Sequence, residues 1–172
     1  MRGRCVQAVP DVEDVILIKK LTPDLWQQRL QFILERIELS ESKSSIELGL
    51  RHMFHLSQLA PGPFGDFSRP TVDESAFEQL LYAGDLDAAA LALIGDAARF
   101  FGQYDAISKL YTVKTEFCEL SIVSESTGLS LASAIISSWV KSFLAIYRKY
   151  GEIVNLNRPG YQFGSLPPPN EH

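Results

Sequence analysis

Apolar positions recur at helical spacing along most of the chain. Leu25, Trp26, Leu30, Ile33, Leu34 and Ile37 form one stripe, which predicts a helix ending among the serines after Leu39. Thr22-Pro23-Asp24 starts it, with a capping hydroxyl, a proline whose fixed φ suits the first helical position, and an acid facing the macrodipole. Ser44 and Glu47 form a capping-box pattern for a second helix through Leu50, Met53, Phe54 and Ser57 to Ala60, where Pro61-Gly62-Pro63 stops it. Thr71 and Glu74 repeat that pattern for a third helix through Phe77, Leu80 and Leu81, closed by Gly84. A fourth, from Asp85 to Phe101, is Ala- and Leu-rich on most sides and belongs in the centre, with Gly102 as its stop.

After Asp105 two periods compete. Leu110, Val113, Phe117 and Leu120 fit a fifth helix, while Tyr111, Val113, Thr115 and Phe117 alternate as in a strand. A two-strand hairpin within 111–124 is therefore the alternative there. The run from Ser124 to Gly128 breaks the chain, and a long helix follows from Ser130 to Tyr150, closed by Gly151. Its apolar face carries Ala132, Ile135, Ile136, Trp139, Val140, Phe143, Tyr147 and Tyr150. Ser133, Ser137, Ser138, Lys141, Ala145, Arg148 and Lys149 line the other, which predicts a solvent face.

The segment 1–21 is ambiguous: Val15-Ile16-Leu17-Ile18 suits a strand, yet Asp11 suits a helix cap. The tail 152–172, with Pro159, Gly160 and Pro167-Pro168-Pro169, is expected to be extended or mobile. The resulting expectation is an all-α, single-domain antiparallel bundle over 1–151. It consists of stacked hairpins of five to six helices, with one longer loop from Pro61 to Pro70. Its core should draw on Trp26, Leu30, Ile33, Leu34, Leu50, Phe54, Leu80, Leu81, Leu91, Ile94, Phe117, Ile136, Trp139, Val140 and Phe143.

One internal echo supports helix hairpins. Tyr82-Ala-Gly-Asp-Leu-Asp-Ala-Ala89 aligns with Phe100-Phe-Gly-Gln-Tyr-Asp-Ala-Ile107, each reading as helix, glycine stop and new helix start. Gly95, Gly102, Tyr104 and Tyr111 fall where a tetratricopeptide unit wants a small residue, a turn and two aromatics. From Leu91 the chain thus resembles a degenerate unit of that family, which implies a helix–turn–helix. Lys114 and Glu119 stand where that pattern has alanine and proline, and no second unit follows.

Composition narrows the function. With 46% apolar residues among 172 the chain has material for a core, which excludes wholesale disorder. Sixteen basic against 21 acidic residues leave a net charge of −5, which argues against a nucleic-acid face. Cys5 and Cys118 match no zinc or disulfide-scaffold spacing, and the basic start lacks an apolar run behind it. A cytoplasmic protein with reduced thiols is expected. Gly128–Tyr147 has the length of a membrane span and one charge, Lys141, but five serines and a polar side favour packing on a protein core over membrane association.

Candidate chemistry is sparse. His52 and His55 lie three apart on a helix, and with Glu47 they offer half of a metal site that no second histidine pair completes. There is no HExxH, GxSxG, GxGxxG or GxxxxGK[ST], so no cofactor is called for. Ser40-x-x-Lys43 and Ser138-x-x-Lys141 match a penicillin-binding motif without its companions, and Cys118 reads as a buried, inert thiol. In the loop Pro61-Gly-Pro-Phe-Gly-Asp-Phe67, Phe64 and Phe67 are either exposed anchors for a partner or a plug for the end of the bundle. Tyr161 and Phe163 in the tail pose a similar choice. Elimination leaves a non-enzymatic helical module that binds another protein. The alternatives are a small metal-dependent protein built on Glu47, His52 and His55, and a membrane-associated one using 128–147.

Overall fold

The computed structural model describes residues 20–62 and 64–150. Within them, α1 (Pro23–Leu39), α2 (Lys43–Gln58), a single turn α3 (Phe64–Phe67), α4 (Glu74–Ala83) and α5 (Leu86–Leu93) come first. Three strands follow, β1 (Arg99–Asp105), β2 (Leu110–Phe117) and β3 (Ile122–Gly128), and then the long helix α6 (Leu131–Tyr150). The strands form one antiparallel meander in the order β1-β2-β3. The all-α expectation is therefore wrong. This is a mixed fold in which a helix-rich first half and α6 pack with a three-stranded sheet.

The helices α1, α2, α4 and α6 lie where apolar spacing puts them, but local chemistry moves some caps. Pro23 opens α1, and the Thr22 side chain makes no capping bond. Ser42, rather than Ser44, caps α2 by accepting from Ser45 N. Asp73, rather than Thr71, caps α4 by accepting from Ala76 N, while Thr71 bonds through both N and Oγ1 to Ala92 O. Gly84 ends α4 in the left-handed region, at φ 75°, as a glycine stop should.

The error begins at Gly95. Helix α5 stops at Leu93, well short of Phe101, because the chain after it crosses the segment following α3. A Cβ on Gly95 would lie 2.9 Å from Arg69 O and 3.2 Å from Phe67 O, so only glycine allows that crossing. Beyond it, Arg99-Phe-Phe-Gly-Gln-Tyr-Asp105 pairs residue for residue with β2, from Arg99 opposite Glu116 to Asp105 opposite Leu110. The turn is held by Asp105, which accepts from Ile107 N at 2.9 Å and Ser108 Oγ at 2.7 Å, with Lys109 at φ 57°. The segment that resembles a tetratricopeptide unit is thus a hairpin, and Gly102 and Tyr104 are strand residues. The strand pair expected within 111–124 is a meander running from 99 to 128.

Helix α6 is central. It packs on β2 and β3 and also on α1, α5 and α2. Every residue from Ala132 to Val140 is buried. The serines expected on a solvent face are therefore inside. Ser138 donates to Ser124 O at 3.1 Å and meets Thr115 Oγ1 at 2.9 Å, while Ser142 donates back to Ser138 O. These small side chains satisfy their own polar groups and let the helix come close to the sheet. At the rim, Lys141 bridges Glu38 of α1 and Ser126 of β3. Two carboxylates from distant segments secure the start of α6: Asp87 accepts from Ala132 N, and Glu41 from Leu129 N and Ser133 Oγ.

An aromatic spine joins the layers. Trp139 stacks on Phe117 with centroids 5.3 Å apart, and Phe143 meets Trp139, Phe117 and Trp26 edge-on. Trp26 donates its indole N–H to Leu56 O at 3.0 Å and stacks on Phe64. Of the expected core, Leu80 and Ile94 are half-buried and Leu91 is exposed.

Candidate functional site

The two phenylalanines of the Pro61–Phe67 loop point inward. Phe64 is 1% exposed and stacks on Trp26, and Phe67 is 8% exposed and packs edge-on to Phe117. They are the plug, so their rings are not available as anchors. Tyr161 and Phe163, like Cys5, the segment 1–19 and the tail 152–172, lie outside the described residues.

His52 and His55 are both exposed on α2. Partial desolvation holds the His52 pKa below its ordinary value, aided by the nearby guanidinium groups of Arg36, Arg29 and Arg51. That positive surround disfavours a metal cation. Glu47 is engaged elsewhere, 3.3 Å from Arg51, whose Nε is also 2.9 Å from Glu78. No cluster of three or more metal-ligating side chains occurs among the described residues. Cys118 is exposed in a short 3₁₀ turn, not buried, and Ser138 is committed to the sheet. Residues 131–147 of the proposed membrane segment are the buried helix, and no described helix is long and apolar enough to cross a membrane.

What stands out lies in the stretch read as helix. Among the described residues, strand β1 has β2 as its only sheet neighbour, and its other edge carries backbone groups that none of them pairs. Six of its seven residues are exposed, and Phe100 is half-buried. The register sorts the side chains by face. Phe100, Gly102 and Tyr104 share the α6 side with Val113 and Thr115, while Arg99, Phe101, Gln103 and Asp105 share the other with Lys114 and Glu116.

On the α6 side the aromatic residues make a shelf. Tyr104 lies against Tyr111 with centroids 4.8 Å apart, and the Phe100 ring leans along the strand over Gly102, beside Leu131. Phe101 is 53% exposed, Tyr104 52%, and Ile107 at the hairpin tip 95%. Proteins commonly protect such an edge with a bulge, a proline, a lysine or a short strand. β1 has none of these, and its pairing with β2 is unbroken over seven residues.

The signals for this region were present in the chain. Phe100, Tyr104 and Tyr111 are β-forming aromatics, and Asp105 with Ser108 is a turn pattern. The alanines at 97 and 98 extended the helical reading past Gly95. This arrangement offers backbone hydrogen bonds, apolar rings and a charge at each end of one strand. No protein-family model, no curated protein and no solved structure matches the chain, so the site is read from its own residues.

Proposed function

We propose that this protein is a non-enzymatic binding module whose docking element is the edge of β1 that no described strand pairs. The observation that carries the reading is a seven-residue edge strand, six of its residues exposed, half-exposed Phe101 and Tyr104 among them. An added polypeptide strand gains main-chain hydrogen bonds from such an edge and specificity from alternate side chains. The partner surface is thus an extended protein segment with apolar residues for the Phe100–Tyr104–Tyr111 shelf. The acidic balance of the chain, net −5, fits a protein partner better than a nucleic acid.

A photo-crosslinking amino acid placed at Phe101 or at Tyr104 tests this in the cell that makes the protein. Leu39 and Tyr82, 86% and 96% exposed and far from β1 in the chain, serve as controls. Discrete protein adducts from the β1 positions and none from the controls are the expected result. Adducts at all four sites, or at none, would remove the reading.

A further inference from the structure

We infer that the strand that docks on β1 is β1 of a second copy, paired antiparallel about Gly102 to make a two-fold dimer with a continuous six-stranded sheet. This deepens the reading of β1 as a docking edge and rests on it. The argument is the self-complementarity of Arg99-Phe-Phe-Gly-Gln-Tyr-Asp105.

A two-fold axis perpendicular to the sheet keeps each copy's α6 face on the same side, so a residue can oppose only one of its own face. That leaves registers whose paired residue numbers have an even sum. Centring on Phe101 would pair Arg99 with Gln103 and leave Tyr104 and Asp105 opposite the connection at Ala98 and Ala97. Centring on Gln103 would set Phe101 against Asp105 and Gly102 against Tyr104. Only centring on Gly102 pairs all seven strand residues with one another.

In that register the ends meet opposite charges. Arg99 of each copy faces Asp105 of the other, giving two such pairs on the face away from α6. The Asp105 carboxylate accepts from Ile107 N and Ser108 Oγ, with the Ser108 backbone N–H also turned to it, and a carboxylate has about four acceptor sites in all, so room remains for a guanidinium. On the α6 face, Phe100 lies opposite Tyr104 twice, extending the Tyr104–Tyr111 shelf across the joint. Aromatic pairs directly across an antiparallel joint are stabilising. At the axis Gly102 opposes Gly102, so no side chains crowd each other above the joint, where the Phe100 ring of each copy lies over its own Gly102. The absence of a bulge, proline or lysine in β1, a liability in a monomer, is what continuous pairing needs.

Sedimentation of the full chain over a dilution series tests the inference, with circular dichroism to confirm that each variant folds. The wild type should reach twice its 19.2 kDa and stop there. Arg99→Asp and Asp105→Arg should each sediment as monomers, because each sets like charges opposite one another. Mixing the two should restore a dimer, since the crossed pairs are again opposite in sign.

Because Asp105 also holds the turn, Gly102→Cys in a Cys5→Ser/Cys118→Ser background gives an independent reading. It should form an intermolecular disulfide under mild oxidation, whereas Val123→Cys on β3 should not. A wild-type monomer at every concentration, with no Gly102→Cys disulfide, would overturn the inference. Adducts of Phe101 or Tyr104 with some other protein would in that case leave the docking edge intact. A dimer indifferent to Arg99→Asp, or growth beyond a dimer, would overturn it in favour of another surface or of head-to-tail pairing of β1 with β3.

Discussion

Helix α6 and strand β1 reverse what their sequences suggest. The helix has four serines and a polar side by sequence, yet nine consecutive residues from Ala132 are buried. The strand carries Phe100, Phe101 and Tyr104 within seven residues, yet nearly all of it is exposed. What separates them is coverage. α6 has the sheet as well as α1 and α5 against it, so its serines become close-packing, hydrogen-bonded contacts. β1 has one strand beside it among the described residues, and its rings stay at their surface. Exposure of large apolar groups beside an open backbone edge is informative in a way that scattered surface leucines are not.

The comparison breaks most readily at the aromatic spine. Phe143 is fully buried and touches Trp26, Phe117 and Trp139, so it joins α1, the sheet and α6. Phe143→Ala should lower the unfolding free energy by about 3–5 kcal/mol, the range for a large aromatic removed from a packed core. Urea denaturation gives the figure directly. A loss near that of a surface substitution would mean that α6 is not sandwiched at all.

A finer test separates polar burial from apolar burial. Ser138→Ala leaves Thr115 Oγ1 without its 2.9 Å partner inside the core, and should cost about 1–3 kcal/mol. Adding Thr115→Val removes the stranded hydroxyl as well. The double variant should therefore be less destabilised than the sum of the single ones, since neighbouring members of one hydrogen-bond pair do not add. Strict additivity would show that the two hydroxyls are independent and that α6 tolerates its serines for another reason.

How far the chain declared this fold depends on whether each element's pattern had a rival. Helix α1 has one period, a proline start and no competitor, and it lies where it was read. The run 85–101 carried strong helix formers past Gly95, and what stops α5 is the approach of Phe67 O and Arg69 O, a tertiary contact with no local signature. Tyr82–Ala89 and Phe100–Ile107 match as letters yet form a helix junction in one case and a strand and turn in the other. Local propensity is a weak prior where packing decides. The same holds for the site. Phe64 and Phe67, set among prolines and glycines, suit either an anchor or a plug, and what decides for the plug is Trp26 and Phe117, which come from elsewhere in the chain. β1 could not be weighed as an edge until its strand order was known.

The surface ion pairs set a smaller scale. Hydrogen bonds from Arg51 hold the Glu78 carboxyl below its ordinary pKa, and both side chains are more than a third exposed. A carboxyl depressed on folding adds stability that is complete above its unfolded value, near 4.5, and is lost as pH falls through the folded value. Solvent screening keeps that contribution under about 1 kcal/mol. Arg51→Ala should therefore flatten the loss of stability on acidification below pH 4.5, and added salt should shrink the difference between wild type and variant. An unchanged acid limb would mean that the Arg51–Glu78 geometry makes no thermodynamic difference.

The smallest expected effect bears most directly on β1. Phe101→Thr keeps a β-forming residue on the face shared with Lys114 and removes a half-exposed ring. Measured at a dilution where the chain is monomeric, it should change the unfolding free energy by no more than about 0.5 kcal/mol, as for surface positions without a special role. Such neutrality is what distinguishes a residue kept for a partner from one kept for the fold. A cost as large as that of Ser138→Ala would mean that Phe101 is packed within the monomer. The edge would then be occupied before any partner arrives, and β1 would belong with α6 on the structural side of the comparison.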